Sequence, residues 1–110
     1  MKILFVCSRN EWRSRTAENI FKNNGRHVIK SAGTKKSARI RLNQKMINWA
    51  DIIFVMEENH KKTILENFEF EKNKNSMEVL DIPDDYKYME SELIEILQMK
   101  LSDLLNNGQN

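Results

Sequence analysis

Lys2-Ile3-Leu4-Phe5-Val6-Cys7-Ser8-Arg9-Asn10-Glu11-Trp12-Arg13-Ser14 is the stretch that decides the fold. Its first half is a short apolar run bounded by polar residues. A run of that length without alternation reads as a strand over 2–6, buried on both faces as in a parallel sheet. Residues 8–13 are too polar to continue it. From Ser14 the spacing turns helical: Ala17, Ile20 and Phe21 share one face, with Arg15, Glu18, Asn19 and Lys22 outside. Asn24-Gly25 stops that helix. A cysteine therefore closes a buried strand, and an arginine and a serine open the helix after it.

That spacing has a physical use. A loop of this length can curl until successive backbone N–H groups face one anion. The following helix N-terminus adds its partial positive charge. Arg13 adds a planar fork matched to phosphate oxygens. The same groups favour a thiolate, the nucleophilic form of cysteine, and Ser14 is placed to donate to the sulfur. The product is a nucleophile inside an anion cradle, as attack on a phosphate ester requires. An inert buried thiol at Cys7 and an ordinary surface arginine at Arg13 are the plain alternatives, and C-x5-R spacing alone does not exclude them.

Outward from this stretch, the pattern gives strands over 27–31, 51–56 and 77–80. A short helix capped by Asn43 carries Met46, Ile47 and Ala50 on one face. A second helix spans 57–66, with Glu57 and Glu58 in its first turn. A loop covers 69–77, and Asp81-Ile82-Pro83-Asp84-Asp85 is a turn. A final helix over 91–106 puts Leu93, Leu97, Leu101 and Leu104/Leu105 on a stripe. Strand–helix alternation argues for an α/β fold: a parallel sheet with helices on both faces. Ligands of such sheets bind beyond the carboxyl ends of the strands, where Cys7, Met56 and Asp81–Asp85 all fall.

At 110 residues the chain reads as one domain over 1–110, and 40% hydrophobic with 31% charged residues supports a modest core under a wet surface. No apolar run approaches the ~18 residues of a membrane span, and residues 3–6 are too few for a signal-peptide core. The single cysteine excludes an intramolecular disulfide and a multi-cysteine zinc site. A lone thiol fits a reducing cytoplasm. A net charge of +2 is too weak a bias to imply nucleic acid. The basic residues Lys35, Lys36, Arg39, Arg41 and Lys45 read as a solvated face, and His60 as a surface residue on a polar helix. Trp49 reads as core.

In four segments the sequence resembles the low-molecular-weight protein tyrosine phosphatases. The first is Val6-Cys7 through Arg13-Ser14, followed by Ala17-Glu18 and Phe21. The others are Ser31-Ala32-Gly33-Thr34, Ala50-Asp51-Ile52-Ile53-Phe54-Val55-Met56 and Ile82-Pro83-Asp84-Asp85-Tyr86. They fall in family order across roughly residues 2–105, and the likeness is nearest to a short bacterial subgroup predicted to be tyrosine phosphatases. The resemblance implies a three-layer αβα fold with a four-stranded parallel sheet and a phosphate-binding loop after the first strand. It implies a cysteine-dependent phosphomonoester hydrolase, a protein tyrosine phosphatase working through phosphocysteine. By the same resemblance Cys7 is the nucleophile, Arg13 binds phosphate and Asp84 is the general acid, with Asp85 in reserve. Asn10 holds the loop's unusual turn, Ser14 hydrogen-bonds the thiolate and Ser31 supports the loop. Ser8, Arg9, Glu11 and Trp12 complete the loop. No metal or cofactor is implied. The implied partner is a phosphotyrosine protein or small phosphomonoester, with bound phosphate or sulfate expected and neither nucleic acid nor membrane.

The departures are specific. Arg9 stands where the family has Gly, Glu11 where it has an aliphatic residue, and Asp85 where it has Pro after the acid. Trp12 replaces a second loop cysteine that many members carry, so the reversible disulfide that shelters the nucleophile is lost, and an arsenate-reducing cysteine relay lacks its second thiol. Residues 35–45 contain no histidine, where the family often has one supporting the loop. Taken without the resemblance, Asp81, Asp84 and Asp85 are equally a solvated turn. Tyr86 and Tyr88 suit either an aromatic wall for a substrate ring or packing against the last helix. Two other functions stay open on the residues: a non-catalytic phosphate or phosphopeptide binder, and a phosphocysteine carrier.

Overall fold

Alternate residues of the first strand enter different layers, and this fixes the architecture. In a computed structural model describing residues 1–23 and 25–106, β1 (Lys2–Cys7) sends Ile3, Phe5 and Cys7 to one face and Leu4 and Val6 to the other. Both sets are buried, so helices must cover both faces. Helices α1 (Arg13–Phe21) and α4 (Ser91–Asn106) cover the first, burying Ala17, Phe21, Leu93, Leu97, Leu101 and Leu105. Helices α2 (Gln44–Trp49) and α3 (Glu58–Asn67) cover the second, through Ile47 and Ile64. Phe5 stacks between Phe54 and Phe21, with ring centroids 5.6 and 6.2 Å apart.

The remaining strands are β2 (Val28–Gly33), β3 (Ile52–Val55) and β4 (Ser76–Val79). All pairings are parallel and the sheet order is β2-β1-β3-β4. The expected three-layer αβα sheet is thus present. Strand β2 runs two residues further than the pattern suggested, pairing Cys7 with Gly33. Asn43 caps α2 as expected, its Oδ1 accepting the Met46 N–H at 2.9 Å. Asn24, placed in the stop after α1, lies outside the described residues; Gly25 beside it adopts φ +80°.

Chain direction reverses across the sheet between β1 and β3, since β1 leads outward to β2 and β3 begins the return. The crevice at such a switch point, beyond the strands' carboxyl ends, is where ligands of open α/β sheets sit. Three segments meet there: residues 8–12 after β1, Met56 and Glu57 after β3, and residues 80–84 after β4. No helix among the described residues is long and apolar enough to cross a membrane.

Candidate active site

The segment after β2 turns the loop after β1 inside out. The carbonyls of Cys7, Ser8 and Arg9 accept N–H groups of Thr34, Lys35 and Arg39 at 3.0, 2.9 and 2.9 Å. The Asn10 carbonyl accepts from Arg39 Nε at 3.1 Å. In a trans peptide C=O and N–H point in opposite directions. Carbonyls tied outward therefore aim the N–H groups of Ser8, Arg9, Asn10 and Glu11 toward the loop's centre, a nest for an anion. The fit is tight: a Cβ on Gly33 would lie 2.6 Å from the Ser8 carbonyl oxygen and 2.6 Å from Ala38 Cβ. Arg39, although 37% exposed, thus braces the loop in the region where no histidine is available.

Asn10 adopts φ 57°, a left-handed conformation that asparagine tolerates better than most residues. Its buried Nδ2 donates to Ser14 Oγ at 2.7 Å. Ser14 Oγ lies 3.0 Å from Cys7 Sγ and 3.4 Å from the Ala32 carbonyl. With its oxygen occupied by Asn10, the Ser14 hydroxyl spends its proton on one of these, and the sulfur is the nearer. Helix α1 opens at Arg13, so its N-terminal N–H groups also face the loop.

Arg13 is only 2% exposed and is held from three directions. Its Nη1 donates to Glu57 Oε2 at 2.6 Å and to the Ile82 carbonyl at 2.8 Å. Its Nε lies 3.6 Å from Asp84 Oδ1. A buried guanidinium needs a counter-charge, and Glu57 supplies it. The pattern put Glu57 in the first turn of α3 as a dipole partner. It is instead the N-cap: its carboxylate accepts the His60 N–H while His60 Nδ1 accepts the Glu57 N–H at 3.0 Å, a capping box.

His60 corrects the expectation of a surface residue. It is 1% exposed, and its Nε2 lies 2.9 Å from Ser8 Oγ. Burial, with the positive charge of Arg13 beside it, lowers its pKa to about 4, against the opposing pull of Glu57 and Asp84. The ring is neutral near pH 7. Its flanking residues Glu58, Lys61 and Lys62 gave no sign of burial, and only the docking of the helix end onto the loop creates it.

These groups surround a cleft of about 190 Å³ lined by Cys7, Ser8, Arg9, Glu11, Trp12 and Arg13, with Lys35 and Asp84 across from them. Cys7, Arg13 and Asp84 are thus brought together from three segments. Asp84 is well exposed, as is Asp85, which does not line the cleft. Neither Tyr86 nor Tyr88 lines it either: Tyr86 packs against the core beside α4, and Tyr88 carries Arg15 at 4.3 Å over its ring. The aromatic wall of the cleft is Trp12, 40% exposed. Ser31 donates to Glu18 on α1, and Glu18 lies 3.9 Å from Arg39, so its link to the loop is indirect. Lys35, expected on a solvated face, stands at the cleft because of the hydrogen bonding of residues 34–39, which has no local sequence signal. Trp49, expected in the core, is half-buried against it with Lys30 at 4.5 Å over its ring.

No sequence-family model matches the chain, and no curated protein does. Solved structures do. The YwlE arginine phosphatase from Geobacillus stearothermophilus is 23% identical with a TM-score of 0.77, covering 98% of this chain and 92% of its own. A low-molecular-weight phosphotyrosine phosphatase from Vibrio cholerae O395 is 20% identical with a TM-score of 0.77, covering 100% and 97%. Vibrio vulnificus Wzb, solved in complex with benzylphosphonate, is 22% identical with a TM-score of 0.67, covering 90% of each chain. At these identities the likeness is one of architecture: the chain has the fold of the low-molecular-weight protein tyrosine phosphatases.

Proposed function

We propose that this chain is a cysteine-dependent phosphomonoester hydrolase, a protein tyrosine phosphatase acting through a phosphocysteine intermediate. The observation that carries this is the cradle itself: Cys7 Sγ, 3.0 Å from Ser14 Oγ, at the root of a loop whose carbonyls at Cys7, Ser8, Arg9 and Asn10 are tied outward. Full coverage by phosphatase folds supports it.

Cys7 thiolate attacks phosphorus in line, forming the S–P bond as the P–O bond to the leaving group breaks. The Arg13 guanidinium and the inward N–H groups stabilise the charge on the equatorial oxygens. Asp84, protonated, gives its proton to the leaving oxygen. Water then attacks the phosphocysteine, giving a proton to the Asp84 carboxylate, and the S–P bond breaks to return thiolate and release inorganic phosphate. Ser14 donates to the sulfur as it leaves. The substrate is a phosphotyrosine protein or a small aryl phosphate whose ring lies against Trp12. The lone thiol suits a reducing compartment such as the cytoplasm.

The test is hydrolysis of a small aryl phosphate across pH 5–8 by wild type, Cys7→Ser and Asp84→Asn. Activity abolished in the first variant and lowered about 10²–10⁴-fold in the second is the expected result. Vanadate binding without turnover points to a phosphate-binding module instead, and a long-lived phosphocysteine to a carrier.

A further inference from the structure

We propose that the Ser8 hydroxyl is a donor to a phosphoryl oxygen in the cleft and that His60 is the positioning residue that aims it there, an assignment resting on the reading of the cleft as a phosphoryl site.

The argument follows protons. The Glu57 backbone N–H is a donor and nothing else, so His60 Nδ1, 3.0 Å away, must accept. Burial and Arg13 keep the ring neutral, so its single proton lies on Nε2. Nε2 therefore donates to Ser8 Oγ at 2.9 Å. That bond uses an acceptor site of the hydroxyl and leaves its proton unspent. Ser8 Oγ has no other hydrogen bond among the described residues, and Ser8 lines the cleft between Cys7 and Arg13. A phosphoryl dianion offers acceptors only, which is what the unspent proton matches. The bond from the ring also polarises the hydroxyl and strengthens its donation.

The tie reaches further than one side chain. The capping box that fixes the tautomer of His60 also presents the Glu57 carboxylate to Arg13 at 2.6 Å. One helix end thus sets two anion-binding groups, the guanidinium and the Ser8 hydroxyl. The nest of backbone N–H groups binds the anion from the loop side, and α3 orients the side-chain donors from the other.

Two substitutions separate this role from a structural one. Asn at 60 puts Oδ1 where Nδ1 stands, so it keeps the cap but stops short of Ser8. Gln at 60 reaches Ser8 with its amide and gives up the cap. Orthovanadate affinity is measured by titration calorimetry at pH 7 on wild type, Ser8→Ala, Ser8→Thr, His60→Asn, His60→Gln and the Ser8→Ala/His60→Asn double variant, with thermal melting as the check on folding. Ser8→Ala is expected to weaken binding about tenfold, about 1.4 kcal/mol. His60→Asn is expected to match it, the double variant to lose nothing further, and Ser8→Thr and His60→Gln to stay within about twofold of wild type. Wild-type affinity in Ser8→Ala, additive losses in the double variant, or a greater loss in His60→Gln than in His60→Asn overturns the assignment. A wild-type protein that does not bind vanadate overturns the phosphoryl-site reading and this assignment with it; the other adverse outcomes leave that reading standing.

Discussion

Acid should unfold this protein earlier than its carboxylates alone dictate, because His60 must charge inside a packed contact. The perturbation is a fall in pH from 7 to 4.5. Folded His60 titrates at about 4, against 6.5 for the ordinary group, because burial and Arg13 both oppose its cationic form. Between those values the unfolded chain binds a proton that the folded chain refuses, so stability falls as pH falls. The His60 contribution is complete above pH 6.5 and lost progressively toward pH 4. Integrated from pH 7 to 4.5, the loss is about 2–2.5 kcal/mol. Protonated Nδ1 could no longer accept the Glu57 N–H, so the cap of α3 opens as the charge appears. The assay is urea unfolding at pH 7, 6, 5 and 4.5, where the midpoint should drop by about 1–2 M in total. His27 is shifted in the same direction, by burial first and by the nearby N-terminal ammonium and Arg26, and adds a small loss of the same sign. His60→Asn isolates the effect: lacking a titrating group, it should be less stable than wild type at pH 7 and lose much less on acidification. Equal slopes in the two proteins would refute the reasoning.

Three further outcomes follow from the packing. Gly33→Ala drives a Cβ to 2.6 Å from the Ser8 carbonyl oxygen, so the loop must shift; a loss of about 1–3 kcal/mol in urea unfolding and weaker vanadate binding are expected. Leu97→Ala removes a fully buried side chain of α4 remote from the cleft; stability should fall by about 2–5 kcal/mol while kcat of the folded protein stays near wild type. Glu57→Gln takes the counter-charge from buried Arg13, and because Glu57 is 39% exposed the melting measurement should show a loss of about 1–2 kcal/mol, between the exposed and buried limits, with kcat/KM lowered for the aryl phosphate.

What the sequence made legible and what it hid divide along a physical line. Periodicity is a local signal, and the elements it reports are those whose burial is decided by their own side chains. The run 2–6, the helix after Ser14 and Leu93, Leu97, Leu101 and Leu105 of α4 stand where the pattern put them, while Leu104 beside that stripe is exposed. The start of α1 beside Arg13 was equally local, since its spacing sits within one stretch of chain, whereas the left-handed Asn10 was expected only through the family resemblance. The groups that the pattern misplaced act at long sequence separation. Lys35 and Arg39 look like any basic loop until β2 pairs with β1 and lays them along the loop after β1. His60 and Glu57 look like a charged helix start until β3 places that start beside β1, 44 residues from Arg13 and 52 from Ser8. Tyr86 and Tyr88 show the same rule in reverse: aromatic residues near a candidate acid were consistent with a wall, and the packing of α1 and α4 drew them elsewhere. Cys7 and the loop that follows it are thus written in one contiguous segment, whereas the groups that orient them are supplied by the sheet's topology. A substitution in residues 7–14 should therefore act directly on anion binding, and one at Lys35, Arg39, Glu57 or His60 should act only while the strand order that delivers it is intact.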